Sequence, residues 1–164
     1  MERENVLAGI VGAFLFALVG GVVWFLLYQV GFLAGISGII GVICAIKGYT
    51  VFAKGESLVG VIAAGVVAVV VMIIAWYLCL SLDVYRAYQD WFANGEVDFT
   101  ITFAEAVQNA YWFLEEPEIA MAYYKDLGIG LLLCVIGAFR YVKTAVQKVK
   151  RTKPEVQEIP EDVQ

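Results

Sequence analysis

From Asn5 to Ile46 the chain runs 42 residues without a charged side chain. A bilayer core is roughly 30 Å thick and takes about 20 apolar residues per helix, so this run predicts two helical spans back to back. Two further apolar stretches follow. Together they predict an all-α, polytopic membrane protein with four spans, at about 6–28, 32–52, 58–80 and 127–147. The first run is far longer than a signal-peptide core and flows directly into a second span, so a retained span is expected.

Small residues set the expected helix contacts. Lipid gives apolar helices no hydrophobic reason to associate, so close backbone approach must supply the contact. Gly9, Ala13, Ala17 and Gly21 recur once per turn on one face of the first span. Gly31 and Gly35 form a Gly-x-x-x-Gly pair, and Ser37, Gly41 and Ala45 make a second small face. Two such faces on one span imply two neighbours.

The third apolar pattern continues past Leu82 with helical spacing at Tyr85, Tyr88, Trp91 and Phe92. Asp83, Arg86 and Asp90 stand at distances that pair opposite charges along a helix. Asn94 and Gly95 are a stop signal. Residues 97–103 alternate strictly between apolar and polar, which suits either a strand or an extended linker laid along the helices; the linker is preferred because no partner strand is in sight. Thr102 and Glu105 have capping-box spacing, and Phe103, Val107, Ala110, Tyr111 and Leu114 then share one face of an amphipathic helix. Pro117 suits the first turn of a last helix, flanked by Glu116 and Glu118. It should run to about Lys148, with Tyr123 and Tyr124 at the level of the interface.

Charge sharpens this picture. Only 16% of residues are charged, against about 25% in an average soluble domain. The segment 83–126 holds nine acids against Arg86 and Lys125, a net of −7, whereas Arg140 to Lys153 holds six bases and no acid. With four spans, nine of the eleven Lys and Arg fall on one side, which the positive-inside rule makes the cytoplasm. Both termini are then cytoplasmic, in a multi-pass protein of the cell membrane. Residues 83–126 form an acidic outer cap, and 154–164 an acidic, disordered tail.

Spans two and four align without gaps at an offset of 93, matching Gly35–Ile36 with Gly128–Ile129 and Lys47 with Arg140. Spans one and three align at an offset of 52 through Trp24 and Trp76. This pattern suggests two copies of a two-span hairpin. The stretch Cys44 to Tyr49, the run Asp83 to Tyr88, Phe103 with Glu105 and Ala106, and the run Lys125 to Gly130 resemble a group of four-span bacterial membrane proteins of uncharacterised function. The resemblance implies the topology and carries no chemistry.

Few residues invite a chemical role. Lys47 and Arg140 lie about two turns inside the basic ends of their spans, and a cation within a membrane is a functional candidate. Beside Lys47, Gly48 and Tyr49 would let an anionic lipid headgroup approach; the plainer reading is that both cations snorkel to the interface. The chain has no His, three Ser and no nucleophile beside a base, so an enzyme is not expected. Cys44, Cys79 and Cys134 read as packing residues. No cofactor, metal site or nucleic-acid surface is expected. The acids of the outer segment match no calcium-loop spacing, and its aromatic residues suit interfacial anchoring. Two function classes follow: a structural or accessory membrane protein that binds lipid or a partner, or a small homo-oligomeric transporter or channel for an anionic solute or lipid using Lys47 and Arg140. A holin-like pore is a third, suggested only by size and the basic tail.

Overall fold

A computed structural model describes residues 5–31, 36–55 and 57–152. Five α-helices account for most of them: α1 (Val6–Gln29), α2 (Ser37–Ala53), α3 (Leu58–Ala93), α4 (Phe103–Asn109) and α5 (Pro117–Thr152), with a 3₁₀ helix, Ala110–Glu115, between the last two. No strand occurs among the described residues, and 97–102 is irregular chain. By length and composition α1, α3 and α5 (over Pro117–Gln147) are each able to cross a membrane; α2 is apolar but shorter, at 17 residues. The expected second span begins at 32, and its first residues, Gly35 among them, lie outside the described residues, as do 154–164.

The boundaries follow local chemistry. Asn5 accepts a hydrogen bond from the Ala8 amide at 3.1 Å and Ser57 accepts one from the Gly60 amide at 3.0 Å, each satisfying a donor that the first helical turn leaves open. α2 ends on Lys54 in the left-handed region at φ 53°, and the chain leaves α3 through Asn94 and Gly95, whose φ of +74° costs glycine nothing. Gly31, at φ +75°, serves the turn after α1 in the same way, and a side chain there would meet nothing within 4 Å.

α1 and α2 are antiparallel and touch backbone to backbone. A Cβ on Gly20 would lie 2.3 Å from Gly41 Cα, and one on Gly48 would lie 2.3 Å from the Gly12 carbonyl. Of the expected packing residues, Gly9, Ala13, Ala17 and Gly41 are buried in this contact region. Gly21 instead faces α3 and is half-buried; a Cβ there would lie 3.2 Å from Val71. Gly12, Gly20 and Gly48, which make the tightest approaches, are additions to the expected set.

α1 and α3 run parallel, since Gly21 meets Val71 and Tyr28 meets Asp83. α5 is antiparallel to α3 and parallel to α2: Gly38 faces Gly130, and Val42 faces Gly137. One core cluster runs through all four, with Trp24, Val42, Ile46, Tyr49, Val61, Cys79 and Cys134 among its buried members.

At 36 residues and 1.5 Å per residue, α3 is about 54 Å long, well beyond a bilayer core. Its far end receives the segment that follows. Gln89 donates to the Ile101 carbonyl at 3.2 Å and Tyr77 to the Val107 carbonyl at 2.7 Å. The buried face of α4 and the 3₁₀ helix is Ala106 and Ala110, packed with Leu80 and Val84, whereas Phe103 and Tyr111 are exposed. Of the expected face, Ala110 is buried and Val107 and Leu114 are half-buried, so the packed side is shifted away from Phe103 and Tyr111 towards Ala106, because small residues admit the backbone to α3 more closely than aromatic ones do.

Replacing Gly20 by Ala drives a methyl into Gly41 and should destabilise the protein by about 1–3 kcal/mol. Gly65 has open space around it. Gly65→Ala should therefore be neutral or stabilise by up to about 1 kcal/mol, through helix propensity. Denaturation with sodium dodecyl sulfate, followed by circular dichroism, distinguishes the two.

Candidate functional site: a carboxylate–tyrosine cluster at one end of the helices

Polar side chains converge where α1 ends, α3 passes and α5 begins. Asp83 Oδ2 accepts from the hydroxyls of both Tyr28 and Tyr123, the latter at 2.5 Å, and the two hydroxyl oxygens are 2.7 Å apart. Trp76 Nε1 donates to the Tyr123 carbonyl at 2.9 Å, and its ring meets that of Tyr123 edge-on and stacks with Tyr124. One carboxylate oxygen thus joins three helices.

Two hydroxyl protons serve three close oxygen pairs. Either both tyrosines donate to the carboxylate, or one tyrosine donates to the other, which relays to it; each hydroxyl holds one proton. In both arrangements Oδ1 of Asp83 is left without a hydrogen bond among the described residues. Arg86, expected to pair with Asp83, instead reaches α1 and donates to Gln29 Oε1 at 2.8 Å. Asp83 is half-buried and lines a cavity of about 350 Å³, together with Leu80, Val84, Ala87, Trp91, Phe113, Ile119 and Tyr123.

The cations named from sequence lie elsewhere. Lys47 and Arg140 are both exposed, and neither lines a described cavity. Tyr49 is fully buried: it wedges between Gly9 of α1 and Gly60 of α3, where a Cβ on Gly60 would lie 2.1 Å from the ring. It is therefore a core residue turned away from the surface that carries Lys47. Cys79 and Cys134 are buried free thiols and Cys44 is half-buried, with Cys134 donating to the Gly38 carbonyl at 3.2 Å. Among the described residues no group of three His, Cys, Asp or Glu side chains could hold a metal ion.

The cluster escapes sequence reasoning because Asp83 is 55 positions from one tyrosine and 40 from the other. A usable signal exists in their depth: Tyr28 closes the first apolar run, Asp83 the third, and Tyr123 opens the last.

Comparison with known proteins adds no relative. No family model, no curated protein and no solved structure matches the chain.

A second polar device lies in the neighbouring segment. Thr102 caps α4, and Glu105 accepts in return from the Thr102 amide at 2.7 Å and its hydroxyl at 2.9 Å. The backbone bond, then the hydroxyl bond, holds the Glu105 carboxyl below the ordinary carboxylate range. Because the folded value is lowered, the capping contribution is complete above the unfolded value and is lost as pH falls through the folded one. Thr102→Ala should return the Glu105 pKa towards the ordinary value, read from its side-chain carbon shifts by NMR titration.

In the cluster itself, loss of one tyrosine hydroxyl lets the other serve the carboxylate. Tyr28→Phe and Tyr123→Phe should each cost roughly 1 kcal/mol or less, and the double variant should exceed their sum by about 0.5–3 kcal/mol. Strict additivity in a double-mutant cycle would mean that the two hydroxyls act independently.

Proposed function

We propose that the chain is a four-span integral membrane protein of structural or accessory type, with both termini cytoplasmic, that binds lipid or a membrane partner through its helix faces and the acidic outer segment 83–126. The observation that carries this reading is where polarity sits. Among the described residues the buried polar side chains are Ser37 and Ser81, and Ser81 is spent on the Tyr77 carbonyl at 2.8 Å. A transporter places polar groups near the midplane. Here the middle of the α1–α2 contact is filled by small residues such as Ala17, Gly20 and Gly41, and the Tyr28–Asp83–Tyr123 cluster lies towards one end.

The antiparallel order of α1, α2, α3 and α5 supports four spans. With its 17 residues, α2 is about 26 Å long at 1.5 Å per residue and nearly reaches across a bilayer core. Even spans put both termini on one side, and the basic stretch 140–153 makes that side the cytoplasm. The resemblance to uncharacterised four-span bacterial proteins, and the two-hairpin repeat, belong to the same proposal; the parallel course of α2 and α5 suits the repeat. Transport of an anion through Lys47 and Arg140 has less support, since both are exposed and the polar lining such a route needs has no counterpart between the helices among the described residues.

In a background with Cys44, Cys79 and Cys134 replaced by Ala, a membrane-impermeant maleimide should label Glu96→Cys in intact cells. A cysteine appended after Gln164 should react only after lysis. Labelling of both from outside would overturn the four-span topology. In proteoliposomes the Lys47→Gln, Arg140→Gln double variant should insert normally and leave chloride flux at the wild-type background. A wild-type flux that this variant abolishes would establish the transport reading instead.

A further inference from the structure

The cavity beside Asp83 combines three features that the cluster alone does not explain. The first is the carboxylate: the hydroxyls of both tyrosines lie at Oδ2, Oδ1 has no hydrogen-bond partner among the described residues, and Asp83 lines the cavity. The second is the absence of a matching cation among those residues. Arg86, one turn along α3, is directed to Gln29 on α1, and the surrounding segment 83–126 carries a net of −7. The third is the wall. Leu80 and Val84 are buried, and the half-buried rings of Trp91, Phe113 and Tyr123 stand around the same space, with Ala87 and Ile119 completing an apolar lining.

We propose that this cavity is a binding site for an organic cation: an ammonium group, primary or quaternary, carried on an apolar body. The ammonium sits against Asp83 Oδ1 with aromatic faces beside it, where ring quadrupoles attract a cation. The apolar body lies against Leu80, Val84 and Ile119. At about 350 Å³ the space accepts a headgroup and a short stretch of chain. An anion is disfavoured by Asp83, and a bare inorganic cation would leave the apolar wall unused. The site rests on the proposed outer placement of 83–126, at the level where lipid headgroups lie. The same chemistry is offered by an aminolipid headgroup and by a free amphiphilic amine.

The test uses the full chain in nanodiscs, with two arms. In the first, discs of mixed phosphatidylethanolamine and phosphatidylglycerol are examined by native mass spectrometry for retained lipid. In the second, discs of phosphatidylglycerol alone are titrated calorimetrically with hexyltrimethylammonium. The wild type should retain phosphatidylethanolamine preferentially in the first arm, which identifies a lipid, or bind hexyltrimethylammonium saturably in the second, which identifies a free amine. Asp83→Asn keeps an acceptor for the tyrosines but removes the charge, and should weaken binding by about tenfold or more. Trp91→Leu keeps the carboxylate and should weaken it by about fivefold. Circular dichroism establishes that each variant is folded; should Asp83→Asn fail to fold, Trp91→Leu at the cavity rim carries the comparison alone. Equal retention of both lipids with no saturable amine binding overturns the proposal, as does undiminished binding in the folded variants. Labelling of Glu96→Cys in intact cells separates the failures: an outer residue 96 without ammonium binding removes this site and leaves the four-span reading standing.

Discussion

α1 and α2 can approach until their backbones touch only because positions 12, 20 and 48 are glycine. A single added carbon at position 20 or 48 would stand 2.3 Å from backbone of the opposite helix. Apolar side chains gain little from one another when the alternative neighbour is a lipid tail, so dispersion contacts and shape must hold such helices together. The same rule recurs at each further junction. Gly38 meets Gly130 between α2 and α5, and Tyr49 fills the hollow that Gly9 and Gly60 leave between α1 and α3. Remove the glycines and the remaining contacts lose their spacing, including those that set the depth of Tyr28, Asp83 and Tyr123.

That depth explains why polarity concentrates where it does. A carboxylate between apolar helices must have its hydrogen bonds supplied, because an unsatisfied charged group is costly to bury. Asp83 stands near the end of the packed region and takes a hydroxyl from each of two other helices. The interior offers a contrast in Trp24, which is 1% exposed and whose Nε1 has no hydrogen-bond partner among the described residues. Trp76 has the same side chain further towards the polar end and spends its N–H on the Tyr123 carbonyl. Packing alone holds the first indole, whereas packing and a hydrogen bond hold the second.

Elements with a local signal are legible from the chain itself. Thr102 with Glu105, Asn94 with Gly95, and Pro117 each mark a boundary within a residue or two of where the helices begin and end, because caps and stops are decided by neighbours in sequence. The face of each helix is less legible. α1 is apolar all round, so periodicity cannot say which side is inward. Gly9, Ala13 and Ala17 stand on the packed side, but the tightest contacts fall at Gly12 and Gly20, one position away in each case from residues that look equivalent. Lys47 stands out in the sequence as a charge in an apolar run. Its side chain is exposed while Tyr49, two residues on, is fully buried, a difference of helical phase invisible without a neighbour.

Arg86 gives the same lesson for electrostatics. Along α3 alone its spacing to Asp83 favours an ion pair, worth a few tenths of a kcal/mol on an exposed helix. The fold brings two tyrosine hydroxyls to that carboxylate and a Gln29 carbonyl oxygen to the guanidinium, and bonds to fixed partners outweigh a solvated pair. The consequence reaches beyond stability. By drawing Arg86 to Gln29, the contact of α3 with α1 leaves Asp83, which lines the cavity, without an ion-pair partner among the described residues. The helix packing that begins with glycine thus determines both the shape of that space and the sign of the ligand it favours.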